Sequence, residues 1–186
     1  SVAEQVRDFA LSMMIIFALL AIPLRSYSQP FIIMSVIPFG VIGAMFGHMI
    51  LGMTMSSLSV FGIIAVAGVV VNDSLVMVDF VNKARAEGVA IKEAVMQAGA
   101  RRFRAILLTS ITTFIGVLPI IMETSLQAKI VIPMAVSLAF GVLFATVITL
   151  ILIPCQYVAL EDFKRLIGKF RGKKVEPEAK LQTTSN

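Results

Sequence analysis

The sequence predicts an all-α fold, a polytopic transmembrane bundle of five spanning helices. Three observations carry this. The chain is 58% hydrophobic and only 15% charged, against about 45–50% and about 25% in soluble domains. Its mean hydropathy is +0.94. The apolar residues gather in blocks of about twenty, the length a helix needs to cross a ~30 Å hydrocarbon core.

The spans follow in order. The first covers about 9–24 and ends before Arg25; the second covers about 30–51, from Pro30 to Leu51. The third runs over about 58–81, the fourth over about 105–122, and the fifth over about 130–157. Between the third and fourth lies "NKARAEGVAIKEAVMQAGARRFR". Here Ala86, Ala90, Ile91, Ala94 and Val95 form an apolar stripe opposed by Glu87, Lys92, Glu93 and Gln97. That pattern predicts a short amphipathic helix over about 85–99 at the membrane surface. Residues 160–186 read as a cytoplasmic tail. Its first part, Leu160 to Phe170, is basic and amphipathic, and the stretch from Val175 onward has a disordered composition.

Loop charge orients the set. The loop with Arg25, the long middle loop and the C-terminal tail are basic, while "GMTMSS" carries no charge and the turn before Ile130 holds only Glu123 and Lys129. By the positive-inside rule the basic loops and the C-terminus are cytoplasmic, and Ser1 lies outside. The chain starts with "SVAEQVRDF", without Met or a basic leader, which predicts an internal cut of a longer polypeptide. The net charge of +5 reflects these anchors. No basic stripe is interleaved with aromatics, so nucleic acid is not an expected partner; the lipid bilayer is. One cysteine, Cys155, excludes an internal disulfide. No phosphate loop, zinc motif or nucleophile arrangement occurs, so neither an enzyme, a metal site nor a cofactor is predicted.

Helices associate in lipid through small residues and interhelical hydrogen bonds. Span two offers Gly40, Gly43, Ala44 and Gly47. Span five offers Ser137, Gly141, Ala145 and Thr149 at intervals of four, and span four offers Thr109, Thr112, Thr113 and Gly116. From these stripes Gly43, Gly47, Gly116, Ser137, Gly141 and Ala145 are expected to pack helix on helix. Pro38 and Pro119 fall inside spans, where kinks are expected. His48, the one histidine, is expected as a polar anchor near the outer end of span two, and Asp79 as a solvated acid near the cytoplasmic end of span three.

One stretch departs from this plan. "VVVNDSLV" sets Asn72, Asp73 and Ser74 in the middle of span three. A carboxylate at the centre of a spanning helix costs roughly 2.5–3.5 kcal/mol on insertion scales. Asp73 must therefore face the protein interior or a water-filled path. There it can take up and release protons, or serve as a neutral structural hydrogen-bonding group. Arg102, Thr109, Thr113 and Gly116 share one face of the next span. Thr109 lies about 10.5 Å deeper than Arg102 along the axis, within reach of a group at mid-membrane.

"PFGVIGAMFG" from Pro38, "FGIIAVAGVVVNDSLVMVDF" from Phe61 and "RRFRAILLTSITTFIGVLPI" from Arg101 resemble the resistance-nodulation-division efflux transporters. The resemblance runs from about Phe9 to Tyr157. It implies a fragment of a two-repeat, twelve-helix transporter, specifically its last five helices (eight to twelve). Proton-driven export of drugs, other toxic compounds or metal ions is implied with it. So are a homotrimer in the bacterial inner membrane and a first repeat and periplasmic porter domain elsewhere in the permease. A periplasmic adaptor and an outer-membrane channel are the implied partners. The family's proton relay joins two aspartates of the first repeat to a lysine, a threonine and an arginine of the second. By resemblance the threonine is Thr109 and the arginine Arg102, while the lysine's position falls on Asn72, followed by Asp73. Three explanations fit that departure: a second-half acid joining the relay, a divergent subgroup, or an excerpt of the first repeat. Two other functions fit the residues, a Sec-associated export component of the same superfamily and a non-transporting sterol-sensing or scaffold domain.

Overall fold

The computed structural model describes residues 2–170, with side chains over residues 3–167. The tail expected to be disordered from Val175 lies outside the described residues. Six helices follow one another: α1 (Val2–Leu24), α2 (Ser28–Met34), α3 (Ile37–Ile50), α4 (Ser57–Ala86), α5 (Ile91–Met122) and α6 (Leu126–Phe170). No strand occurs among the described residues. Five segments are long and apolar enough to cross a membrane, α2 and α3 together forming the second.

Pro38 explains why the second span is two helices. A proline in a helix lacks the N–H donor, and its ring clashes with the carbonyl four residues back. That residue is Met34, the last of α2, and Pro38 occupies the first turn of α3. Ser35 bridges the break: its N–H donates to Phe31 O (2.9 Å) and its hydroxyl lies 2.6 Å from Ile32 O. Pro119, Pro133 and Pro154 instead sit inside continuous helices.

The region expected as a separate helix over about 85–99 is divided differently. α4 ends in a Schellman motif, with Gly88 N–H bonded to Arg85 O (3.0 Å) and Val89 N–H to Ala84 O (3.1 Å). Gly88 has φ +86°, a left-handed conformation that glycine adopts without a Cβ penalty. A new helix begins at Ile91 and continues without interruption into the fourth span. Of the expected stripe, Ala94 and Val95 are buried, joined by Ala98, while Ala86 and Ala90 are exposed. At the other end of α4, Ser56 and Ser59 form a reciprocal capping box, which satisfies N–H groups that a helix start leaves unpaired. The last span likewise continues as one helix through Phe163, Leu166 and Ile167, all exposed.

The core is a seam of α3, α4 and α6, closed by small residues. A methyl built on Gly43 would lie 2.5 Å from Phe144 Cβ and 2.9 Å from the Phe140 carbonyl oxygen. One on Gly47 would lie 2.6 Å from Phe140 Cβ, and one on Gly141 would lie 2.7 Å from Val66 and 3.1 Å from Gly40 O. Ser137, Gly141, Ala145 and Thr149 are all buried on this face of α6. α5 joins from one side through Ser110, whose hydroxyl meets Thr146 of α6, and through an edge-on Phe114–Phe140 contact. α1 is the outermost, touching α2 through Phe17 and Phe31 and reaching the core with Leu20.

Candidate functional site in the membrane

α4 places the candidate site. Its thirty residues rise about 45 Å, and Asp73 falls near the middle. Val66, Val70, Asp73, Ser74, Met77, Val81 and Ala84 are buried, recurring with the helical period, so Asp73 lies on the core-facing side. It is 8% exposed and Ser74 is fully buried. Asn72, one residue away and about 100° round the helix, is exposed. Among the described residues Asp73 makes no hydrogen bond or ion pair, and Ser74 Oγ is buried without a hydrogen-bond partner. A buried charge needs a cation, hydrogen bonds or water beside it. The described residues supply Asp73 with neither of the first two.

α5 carries the other candidates. Its threonines turn to their own backbone: Thr109 Oγ1 donates to Ala105 O (2.9 Å) and Thr113 Oγ1 to Thr109 O (2.8 Å). Thr109 is exposed, and no atom lies within 4 Å of a Cβ built on Gly116. α5 instead offers Ile106 and Ser110 to α6, which leaves the Thr109–Gly116 face uncovered. Arg102 leans toward the end of α4, its guanidinium carbon 5.8 Å from the centre of the Phe80 ring, as is that of Arg101. Within this chain Arg102 therefore approaches α4, but Thr109 and Asp73 are not hydrogen-bonded to each other. The packing residues divide in the same way: Gly43, Gly47, Ser137, Gly141 and Ala145 lie in the α3–α4–α6 seam, and Gly116 meets nothing.

Two polar clusters were not anticipated from the sequence. At one end of the bundle Gln29 of α2 donates from Nε2 to Asn82 Oδ1 (2.9 Å) and to Tyr157 OH (2.8 Å). Asn82 Nδ2 returns a bond to Gln29 Oε1 (3.0 Å), and Tyr157 OH donates to Asn82 Oδ1. Three helices are thereby tied together beside an Arg85–Glu161 ion pair of 3.2 Å. Asp79, expected to be solvated, pairs with exposed Lys83 at 2.7 Å. At the other end His48, expected as an interfacial anchor, is 2% exposed. Its Nδ1 lies 2.9 Å from Ala44 O and its Nε2 2.9 Å from Ser59 Oγ. The carbonyl can only accept, so Nδ1 carries a proton, and in the neutral ring Nε2 then accepts from Ser59. The signal was present: Gly40, Ala44 and His48 are spaced by four, which sets His48 on the packed face of α3.

Comparison with known proteins gives the family. The profile of the AcrB/AcrD/AcrF family matches residues 1–161. The chain belongs to the AcrB/AcrD/AcrF family. This is the resistance-nodulation-division grouping that the three quoted segments resemble, and the chain is a piece of the membrane region of such a transporter. Among its relatives in the family is the swarming motility protein SwrC of Bacillus subtilis (strain 168), 31% identical over 152 residues. That match covers 81% of this chain and 14% of SwrC. A crystal structure of a heavy metal efflux pump superposes with a TM-score of 0.73 at 28% identity, over 81% of this chain and 15% of that one. The chain thus spans about a seventh of the AcrB/AcrD/AcrF relatives it matches.

Proposed function

We propose that this chain is the second-repeat membrane part of a proton-driven efflux permease, and that Asp73 is its proton site. The observation carrying this is Asp73 itself, a carboxyl buried at mid-span with no hydrogen-bond or ion-pair partner among the described residues. An intramembrane acid is expensive and, where present, marks an ion or proton path. The uncovered face of α5 fits the same reading. Thr109, Thr113 and Gly116 are free to receive the first-repeat helices, whose acids would approach Asp73, Asn72 and Thr109 from outside this chain. Asn72 stands where the family's relay has its lysine, so the second half contributes an acid where a cation is usual. Protonation of Asp73 would change its contacts with those helices and shift the bundle between two states.

Family membership supports a wider reading, in which the whole assembly is a homotrimer in a bacterial inner membrane with a cytoplasmic C-terminus, a periplasmic porter domain, an adaptor and an outer-membrane channel. Substrates would be drugs, other toxic compounds or metal ions; the structural neighbour that is a heavy metal efflux pump supports metal ions as one class. The test is Asp73→Asn in the full-length protein, followed by substrate-driven proton flux in vesicles. Loss of flux with unchanged expression is expected, and transport at the wild-type rate would overturn the assignment.

A further inference from the structure

A cleft of about 370 Å³ opens where α2, α4 and α6 meet at the basic end of the bundle. It is lined by Gln29, Asn82, Arg85, Tyr157, Glu161 and Lys164, with Leu160 as an apolar wall. The lining is a product of helical spacing. Asn82 and Arg85 are three apart on α4, and Tyr157, Leu160, Glu161 and Lys164 recur at three and four on α6, so each set shares one face. The amide–phenol cluster is nearly saturated. Both Gln29 Nε2 protons and the Tyr157 proton are used, and one Asn82 N–H remains. Arg85 is held by Glu161 at 3.2 Å. Lys164 is exposed and, among the described residues, makes no ion pair or hydrogen bond.

The cleft therefore holds two cations and one carboxylate, a net charge of +1, together with a free amide donor and an apolar wall. It lies at the ends of apolar spans, where a bilayer with a ~30 Å hydrocarbon core would present its headgroups. Basic pockets between spanning helices at this level suit lipid headgroups. We propose that this cleft binds the headgroup of a monoanionic phospholipid, its phosphodiester held by Lys164 and Arg85 beside the Asn82 amide. A single negative charge balances the site. Glu161 disfavours a doubly charged phosphate monoester, and Leu160 receives the glycerol end of the lipid.

The intact transporter carrying this chain, purified from nanodiscs, provides the test. Nanodiscs of phosphatidylcholine containing a minor share of either phosphatidylglycerol or phosphatidylethanolamine are compared, and native mass spectrometry counts the lipid retained. Phosphatidylglycerol is expected to be retained selectively. Lys164→Gln should lower its retention about fivefold, the effect of one basic residue at the surface, while Lys164→Arg keeps it. Lys164 is exposed, so the variants should elute as wild type on size exclusion. Equal retention of phosphatidylethanolamine, or unchanged retention in Lys164→Gln, overturns the proposal. Displacement of the lipid by inorganic phosphate also overturns it, by identifying a free-phosphate site. Lipid retention is read without transport, so this result and the proton assignment of Asp73 can fail separately.

Discussion

The α3–α4–α6 seam and the outer helices α1 and α5 are all apolar enough to span a membrane and differ in what covers them. Half of the most apolar window is buried in each of the three seam spans, against 6% in α1 and 11% in α5. Hydropathy is no guide to this contrast: the α5 window is as apolar as that of α4, at 2.2 against 2.1. The seam spans differ in their small residues. Glycines at 40, 43, 47, 62 and 141 let backbones approach until a single methyl would collide, which is how helices gain dispersion energy in a solvent as apolar as themselves. Gly116 of α5 looks the same in the sequence and touches nothing. A small-residue face is a capacity for close packing, and a partner must arrive for it to be used.

That contrast can be broken or sharpened by substitution, with the unfolding midpoint in mixed micelles as the measurement. The largest effect is expected for Gly62→Val. Its Cβ would strike the Met134 carbonyl oxygen and lie 2.7 Å from Ser137 Cβ, and overpacking of this kind costs about 1–3 kcal/mol. An unchanged midpoint would mean the seam can open without loss. His48→Ala comes next: it takes the Nε2 acceptor from the buried Ser59 hydroxyl and a second donor from the Ala44 carbonyl, at about 1–3 kcal/mol for an unsatisfied buried group, and the loss should be smaller for His48→Asn. Tyr157→Phe removes the hydroxyl that accepts from Gln29 and donates to Asn82 and should cost about 0.5–1.5 kcal/mol per bond lost. Gly116→Ala should be neutral or stabilising by up to about 1 kcal/mol, since alanine favours helix over glycine. If Gly116→Ala instead destabilises the intact transporter but not this chain alone, another helix covers α5 there. The smallest effect belongs to Lys83→Gln, because exposed i,i+4 pairs such as Asp79–Lys83 contribute only about 0.3–0.5 kcal/mol.

Much of the fold was legible because its causes are local. Blocks of about twenty apolar residues specify spanning helices whatever surrounds them, and small-residue spacing marked the seam faces of the second and fifth spans. The break at Pro38 was readable only as a kink, since whether a helix bends or stops depends on its neighbours. The Gly88 terminus was missed: a lone glycine inside a helical pattern is tolerated as often as it caps. For the site, residue type and depth singled out Asp73. The Gln29–Asn82–Tyr157 cluster was invisible because its members are separated by 53 and 75 residues. No periodicity links residues on three different helices.

By itself the sequence determined that five segments are long and apolar enough to cross a bilayer, that one of them carries an acid near its middle, and which family the chain resembles. Each rests on composition and spacing along a single helix. Which faces meet was decided only in three dimensions. The structure turned His48 inward, left Gly116 and Thr109 uncovered, and buried Asp73 with no hydrogen-bond or ion-pair partner among the described residues. The physical reason lies in the solvent: a helix in lipid gains nothing by hiding apolar surface, so its sequence encodes a hydrophobic surface all round. Only the shapes and hydrogen bonds of the neighbouring helices select the side that packs.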